Sequence, residues 1–249
     1  MLRSSLLKLF FFTTVRKKRF LWILITFSVL SATLAYLAYI SFKNGLDYIP
    51  YEDMIYDTFN FTVAASIIFA GDLVSEDFGS NVKYILLQLG DRSSLVISKF
   101  LVSLFAVSLI GYLIPLLSNL IVISVYKGLP NLEYVGILYL YVITYTSLNS
   151  LFSALFYDKG SKVTIMINII LWEIAYFIYT SFILQMNSIK QFYYTSLPIL
   201  AEGLYRYYYD VSVGFSPIKP DLEYTILVPV IVTIIAIILT YIRVRSIRI

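Results

Sequence analysis

Any fold for this chain has to accommodate six long apolar stretches, Phe20–Phe42, Met54–Leu73, Leu101–Tyr126, Tyr134–Tyr157, Val163–Leu184 and Tyr224–Ile242. A helix rises ~1.5 Å per residue and the hydrocarbon core of a bilayer is ~30 Å thick, so a crossing needs roughly 20 residues. Each stretch has about that length. A water-soluble domain of this size carries shorter, amphipathic helices. The composition agrees, with 59% hydrophobic residues and 14% charged. The expected fold class is an all-α polytopic membrane protein with six transmembrane helices, a single transmembrane domain spanning residues 1–249.

The cations orient it. Fourteen of the nineteen Lys and Arg residues fall in the N-terminal segment, in the second and fourth gaps, or in the tail. The other gaps hold Lys43, Lys127, Lys190, Arg206 and Lys219. Loops rich in Lys and Arg stay in the cytoplasm, which puts both termini inside and predicts a multi-pass protein of the cell membrane. The basic residues hug the spans, so the net charge of +4 reads as a topology signal and argues against a nucleic-acid partner. The first span is full length and lacks a small-residue cleavage site, so it is expected to remain as an anchor.

Zero Cys and zero His exclude disulfides, the usual zinc, haem and iron–sulfur ligand sets, and any His-based catalytic dyad or triad. Carboxylates alone hold Mg²⁺ or Ca²⁺, yet no acidic cluster stands at ligand spacing. No metal site and no catalytic residue is expected.

Along the chain, Leu2, Leu6, Leu9 and Phe10 precede the basic run Arg16–Arg19 at near-helical spacing. Residues 1–19 therefore read as an amphipathic helix lying among the lipid headgroups. Pro115 sits well inside the third span and predicts a kink or local unwinding, for packing or for transport. Thr146, Asn149, Ser150 and Ser153 share one face of the fourth span. That face serves either close helix packing or a polar passage. Glu173 lies mid-way along the fifth span, where an ionised carboxylate costs at least ~2–3 kcal/mol. A protonated acid bonded inside the bundle, a residue facing a wet cavity and a proton relay are the three readings. Residues 185–223, rich in Tyr and apolar residues, form the longest outer segment. They are read either as short helices dipping into the outer leaflet, broken at Pro198, or as a cap folded on the helix ends.

The most specific stretch is cytoplasmic, SEDFGSNVKYILLQLGDRSSLVISK at 75–99. It offers Glu76 and Asp77, the pair Gly79–Ser80, the apolar run Val82–Leu89, a break at Gly90–Asp91–Arg92, then Lys99. Gly79 and Gly90 bracket a short helix with Val82, Ile85, Leu86 and Leu89 on one side. Ser93 and Ser94 are placed to cap the helix that follows.

This stretch resembles the loop between the second and third spans of ABC-type transporter permeases of the type-2 exporter family. There an acidic residue, Gly-Thr, an apolar segment, a turn with Arg and a Lys seven residues later follow one another. Arg92 and Lys99 keep that separation, Ser80 stands where Thr is common, and Gly90 stands where Pro is frequent. The interfacial helix, six spans, inner termini and long outer segment are also similar. The resemblance implies a permease without an ATPase site, and the chain indeed lacks a GxxxxGK[ST] phosphate loop. It implies a coupling loop at residues 74–99 with Glu76, Asp77, Gly79, Ser80, Gly90, Arg92 and Lys99 against a separate nucleotide-binding ATPase subunit that holds ATP and Mg. It further implies a second permease chain and a path in which Asn149, Ser150, Ser153 and Glu173 lie in the passage or the bundle interior. An ion-coupled secondary carrier using Glu173, and a non-transporting membrane assembly factor, are the alternatives.

Overall fold

The structure, a computed structural model, describes residues 4–16, 18–44, 51–75, 92–126, 131–159, 161–178, 197–209 and 221–246. Among them every regular element is helical. In chain order these are α1 (Ser4–Arg16), α2 (Lys18–Lys43), α3 (Tyr51–Ala70), α4 (Arg92–Ala106), a π-helical segment (Val107–Leu113), α5 (Ile114–Tyr126), α6 (Leu132–Leu155), a single 3₁₀ turn (Tyr157–Lys159), α7 (Ser161–Ile178), α8 (Leu197–Tyr209) and α9 (Leu222–Ser246). Among the described residues four helical runs are long and apolar enough to cross a membrane, namely Lys18–Ser41, Ser94–Ile121, Leu132–Leu155 and Leu222–Ser246. The second expected stretch falls on α3 (Tyr51–Ala70), which includes the apolar run Phe59–Ala70. The fifth falls on α7, which is described as far as Ile178.

The surface explains the solvent. On α2, Leu21, Trp22, Ile25 and Val29 are each more than half exposed, and α9 exposes Leu227, Ile234 and Ile235 to a similar degree. Apolar surface of this extent aggregates in water and is at rest in hydrocarbon.

Helix α6 is the axis of the bundle. Asn131 caps it, its Oδ1 accepting the N–H groups of Glu133 (2.9 Å) and Tyr134 (3.4 Å). Tyr134, Leu138, Tyr141 and Tyr145 are buried along it, and Phe59 of α3 wedges its ring against Tyr141 and Tyr145 at 5.9 and 5.4 Å. On the other flank Thr144 Oγ1 reaches Thr233 Oγ1 of α9 at 2.9 Å.

Both in-helix prolines are matched by a hydroxyl from a neighbour. Pro229 has no N–H for the Thr225 carbonyl one turn back, and Tyr141 Oη donates to that carbonyl at 2.9 Å. Pro115 likewise leaves the Gly111 carbonyl, which accepts Thr62 Oγ1 at 3.1 Å. The predicted irregularity is therefore present, but it lies upstream of Pro115, at Val107–Leu113. A proline ring collides with the carbonyl four residues before it, so widening the preceding turn to i→i+5 bonding makes room. The third apolar stretch also begins earlier than its expected start at Leu101. Ser94–Ile121 is one 28-residue run, roughly 40 Å long at ~1.5 Å per residue, so it either tilts or projects beyond the hydrocarbon.

The predicted N-terminal helix is α1, which packs on α4 and α2. Phe11 meets the Phe105 ring at 5.5 Å. At the same end of the bundle, Leu73, Val74, Leu95, Val96, Ala154 and Val244 form an apolar cluster with Phe10 and Tyr157 packed on it. This end also carries Lys8, Lys18, Arg19, Lys99, Lys159, Lys162, Arg243 and Arg245, so folding gathers the scattered cations of the sequence at one pole. At the opposite pole, α8 lies on α9, α6 and α3 with Leu197, Leu200, Ala201 and Leu204 buried. Pro198 is the second residue of α8 and opens that helix rather than breaking it, since an N–H in the first turn has no intrahelical partner to lose.

Candidate functional site

At the cationic pole α3 ends at Ala70 and the chain makes one tight turn, Gly71–Ser75, before entering residues 76–91. The turn begins with the Gly71 N–H on the Ile67 carbonyl (3.0 Å) and the Leu73 N–H on the Ala70 carbonyl (3.2 Å). A Cβ on Gly71 would stand 2.3 Å from the Ile67 carbonyl oxygen and 3.0 Å from Asn168 Nδ2, so only glycine passes here.

Polar side chains from four other helices hold this turn and the last residues of α3. Ser153 Oγ, from α6, accepts the N–H groups of Val74 (2.8 Å) and Ser75 (3.2 Å). Asn168 Nδ2, from α7, donates to the Gly71 carbonyl at 3.3 Å and to the Thr164 carbonyl of its own helix at 3.0 Å. Ser103 Oγ, from α4, donates to the Phe69 carbonyl at 2.9 Å. Arg19, at the start of α2, pairs with Asp72, Nη1 to Oδ2 2.7 Å. The Asp72 side chain is 2% exposed and that of Arg19 31%, so the carboxylate is inside and the guanidinium reaches the surface. A buried carboxylate with a guanidinium partner, beside backbone N–H groups of Gly71, Leu73, Val74 and Ser75 that are all bonded, makes a rigid anchor.

The expected site residues divide into three groups. Glu76, Asp77, Gly79, Ser80 and Gly90 lie outside the described residues. Arg92 opens α4 and Lys99 sits two turns later, so their seven-residue separation is a helical one that sets both positions on the same face. Ser93 and Ser94 thus fall within α4 rather than before it. Lys99 Nζ stands 5.3 Å from the Phe10 ring of α1, which ties α1 to the helix that follows residues 76–91.

The third group is the stripe on α6. Thr146, Asn149, Ser150 and Ser153 are all buried, at 1% exposure or less. Asn149 Nδ2 donates to Ser66 Oγ of α3 (2.8 Å) and to the Tyr145 carbonyl (3.0 Å). Thr146 and Ser150 donate to the carbonyls of Val142 and Thr146, both at 2.8 Å. In the single chain the stripe is thus an interior seam between α3 and α6. Glu173 has its backbone on α7, one and a half turns beyond Asn168, and its side chain lies outside the described residues.

Sequence reasoning missed the Arg19–Asp72 pair, although both residues are visible as charges at the ends of apolar stretches on the same side. It also passed over the role of Asn168 and the second face of Ser153. Among the described residues no three Asp or Glu side chains cluster to hold a metal ion. A comparison with known protein families and with curated proteins finds none that matches the chain.

Proposed function

We propose that this chain is the membrane subunit of an ATP-driven exporter, similar to the type-2 permeases. In this reading it has six spans, inner termini, a place in the cell membrane and no chemistry of its own. A separate nucleotide-binding subunit, holding ATP and Mg, docks on the cationic pole and pushes on residues 74–99. A second permease chain completes the path. Nucleotide-driven closure of the partner then shifts the permease between inward- and outward-facing states by its differential affinity for the two. Allosteric coupling of this kind amounts to about 1–3 kcal/mol.

The observation that supports this reading most is the mechanical state of the loop's two ends. Residue 75 leaves a turn fastened to α2, α6 and α7, and residue 92 enters a helix braced by α1. A displacement of the segment between them is passed to these four helices as well as to α3 and α4, which is what a lever requires. A loop that only connects two spans has no need of a buried ion pair at its root.

The test is purification from native membranes followed by assay in proteoliposomes. A stoichiometric ATPase is expected with the wild-type chain. Gly79→Pro and charge reversal at Arg92 are expected to insert normally while losing ATPase binding or the link between hydrolysis and transport. Transport of cargo by the purified chain without any ATPase overturns the proposal, and so does normal coupling in both variants.

A further inference from the structure

A cleft opens between α4 and α9 at the cationic pole, and nothing in the coupling reading uses it. Its floor is Leu73, Val96 and Ser150, which are 3%, 7% and 1% exposed. Its rim is Ile97, Ile238 and Tyr241, which are 38–50% exposed and face outward from the bundle. The opening is therefore sideways, toward lipid.

The chemistry of the lining selects the occupant. Besides Tyr241 at the rim, three hydroxyl-bearing residues line the cleft, Ser147, Ser150 and Thr240. Each donates its proton to a carbonyl of its own helix, of Ile143, Thr146 and Ala236, at 2.8, 2.8 and 2.7 Å. Below its rim the cleft thus offers hydrocarbon contacts and hydroxyls already bonded to their own helices, which disfavours a polar occupant there. At the rim the polarity changes abruptly. The guanidinium carbon of Arg245 lies 4.6 Å from the Tyr241 ring centroid, and among the described residues no carboxylate pairs with it. An apolar slot with a cation at its mouth complements one molecule of a bilayer, a phospholipid with an anionic headgroup.

We propose that one acyl chain of an anionic phospholipid occupies the α4–α9 cleft, with its phosphate at Arg245. The headgroup-proximal part of the chain then rests on Leu73 and Val96, which lie on either side of segment 76–91. If the coupling reading holds, this lipid stiffens the lever, but the binding site stands without it.

Native mass spectrometry of the full chain in detergent, titrated with dioleoyl phosphatidylglycerol or phosphatidylcholine, tests the site directly. One phosphatidylglycerol is expected to bind more tightly than phosphatidylcholine. Arg245→Gln should weaken it about 5-fold and remove the headgroup preference. Ile238→Trp fills the rim and should abolish binding of either lipid, while Leu227→Trp, on the exposed face of the same helix, should leave it intact. Ile97→Trp asks the same question from α4 if the first filler does not fold. Equal binding of the two lipids, or equal retention by the Ile238 and Leu227 variants, overturns the proposal. Displacement by inorganic phosphate alone would mark an anion site without a chain and also overturn it. A dimer lost with Ile238→Trp would make the occupant a second copy, again against the proposal.

Discussion

Asp72 and Ser153 carry the argument at the level of single residues. Breaking a fully buried ion pair costs about 3–5 kcal/mol, and Arg19 is nearly a third exposed, so Asp72→Asn is expected to cost about 1–3 kcal/mol. A double-mutant cycle with Arg19→Gln, followed by thermal unfolding in detergent, should return a coupling energy above about 1 kcal/mol. Additive losses would mean that the pair contributes no stability as a pair. Ser153→Ala leaves the Val74 and Ser75 N–H groups without their acceptor, at about 1–3 kcal/mol for each buried donor. The same unfolding measurement, run with Ser150→Ala as a reference that loses only a bond within its own helix, should rank Ser153 well above it. Spacing alone put both serines on one face, since periodicity of 3.6 is written in the chain. That one of them holds a turn 78 residues away is not written there, because a side chain accepting from a remote backbone leaves no pattern in composition or period.

Helix geometry was legible wherever a residue type forces it and illegible wherever a neighbour decides it. Pro115 announces a broken ladder by its missing N–H, yet the form of the break depends on α3. Gly111 lets α3 approach until a Cβ there would stand 2.8 Å from the Ala65 Cβ and 3.0 Å from the Thr62 Cα. Thr62 is then close enough to bond the carbonyl that the proline released. Two changes separate the close approach from the bond. Thr62→Val keeps the shape and removes the hydroxyl, and is expected to cost about 0.6–1.7 kcal/mol, the range of membrane-helix hydrogen bonds. Gly111→Val pushes α3 away and should cost about 1–3 kcal/mol through overpacking. Thermal unfolding of both variants checks the order. If Thr62→Val proved the more damaging, the hydrogen bond rather than the close approach would hold these helices together.

For the molecule as a whole, the distribution of cations is the one long-range property that the chain states openly. Four cationic groups, the first and last more than two hundred residues apart, converge on one pole because each lies next to a helix end, and antiparallel helices bring alternate ends together. The site at that pole is only half legible by the same logic. Charge finds the pole, whereas the bonds that lock the turn come from Ser153, Asn168 and Ser103, which carry no charge. Which side of the membrane the pole faces follows from the retention of Lys and Arg in the cytoplasm, and the sequence offers an unusually clean way to measure it. The chain contains no cysteine, so any thiol introduced is the only one present. Asp158→Cys and Ser246→Cys place it at exposed positions of the cationic pole, and Asn131→Cys and Asp221→Cys at exposed positions of the other. A membrane-impermeant maleimide added to intact cells should label the second pair and reach the first only after permeabilisation. Lysine and arginine count of fourteen against five makes the expectation one-sided. Labelling of Asp158→Cys from outside would invert the bundle and put residues 74–99 where no ATP-driven partner can reach them, while protection of all four positions would show that the second pole is capped by its own tyrosine-rich segment rather than open to solvent.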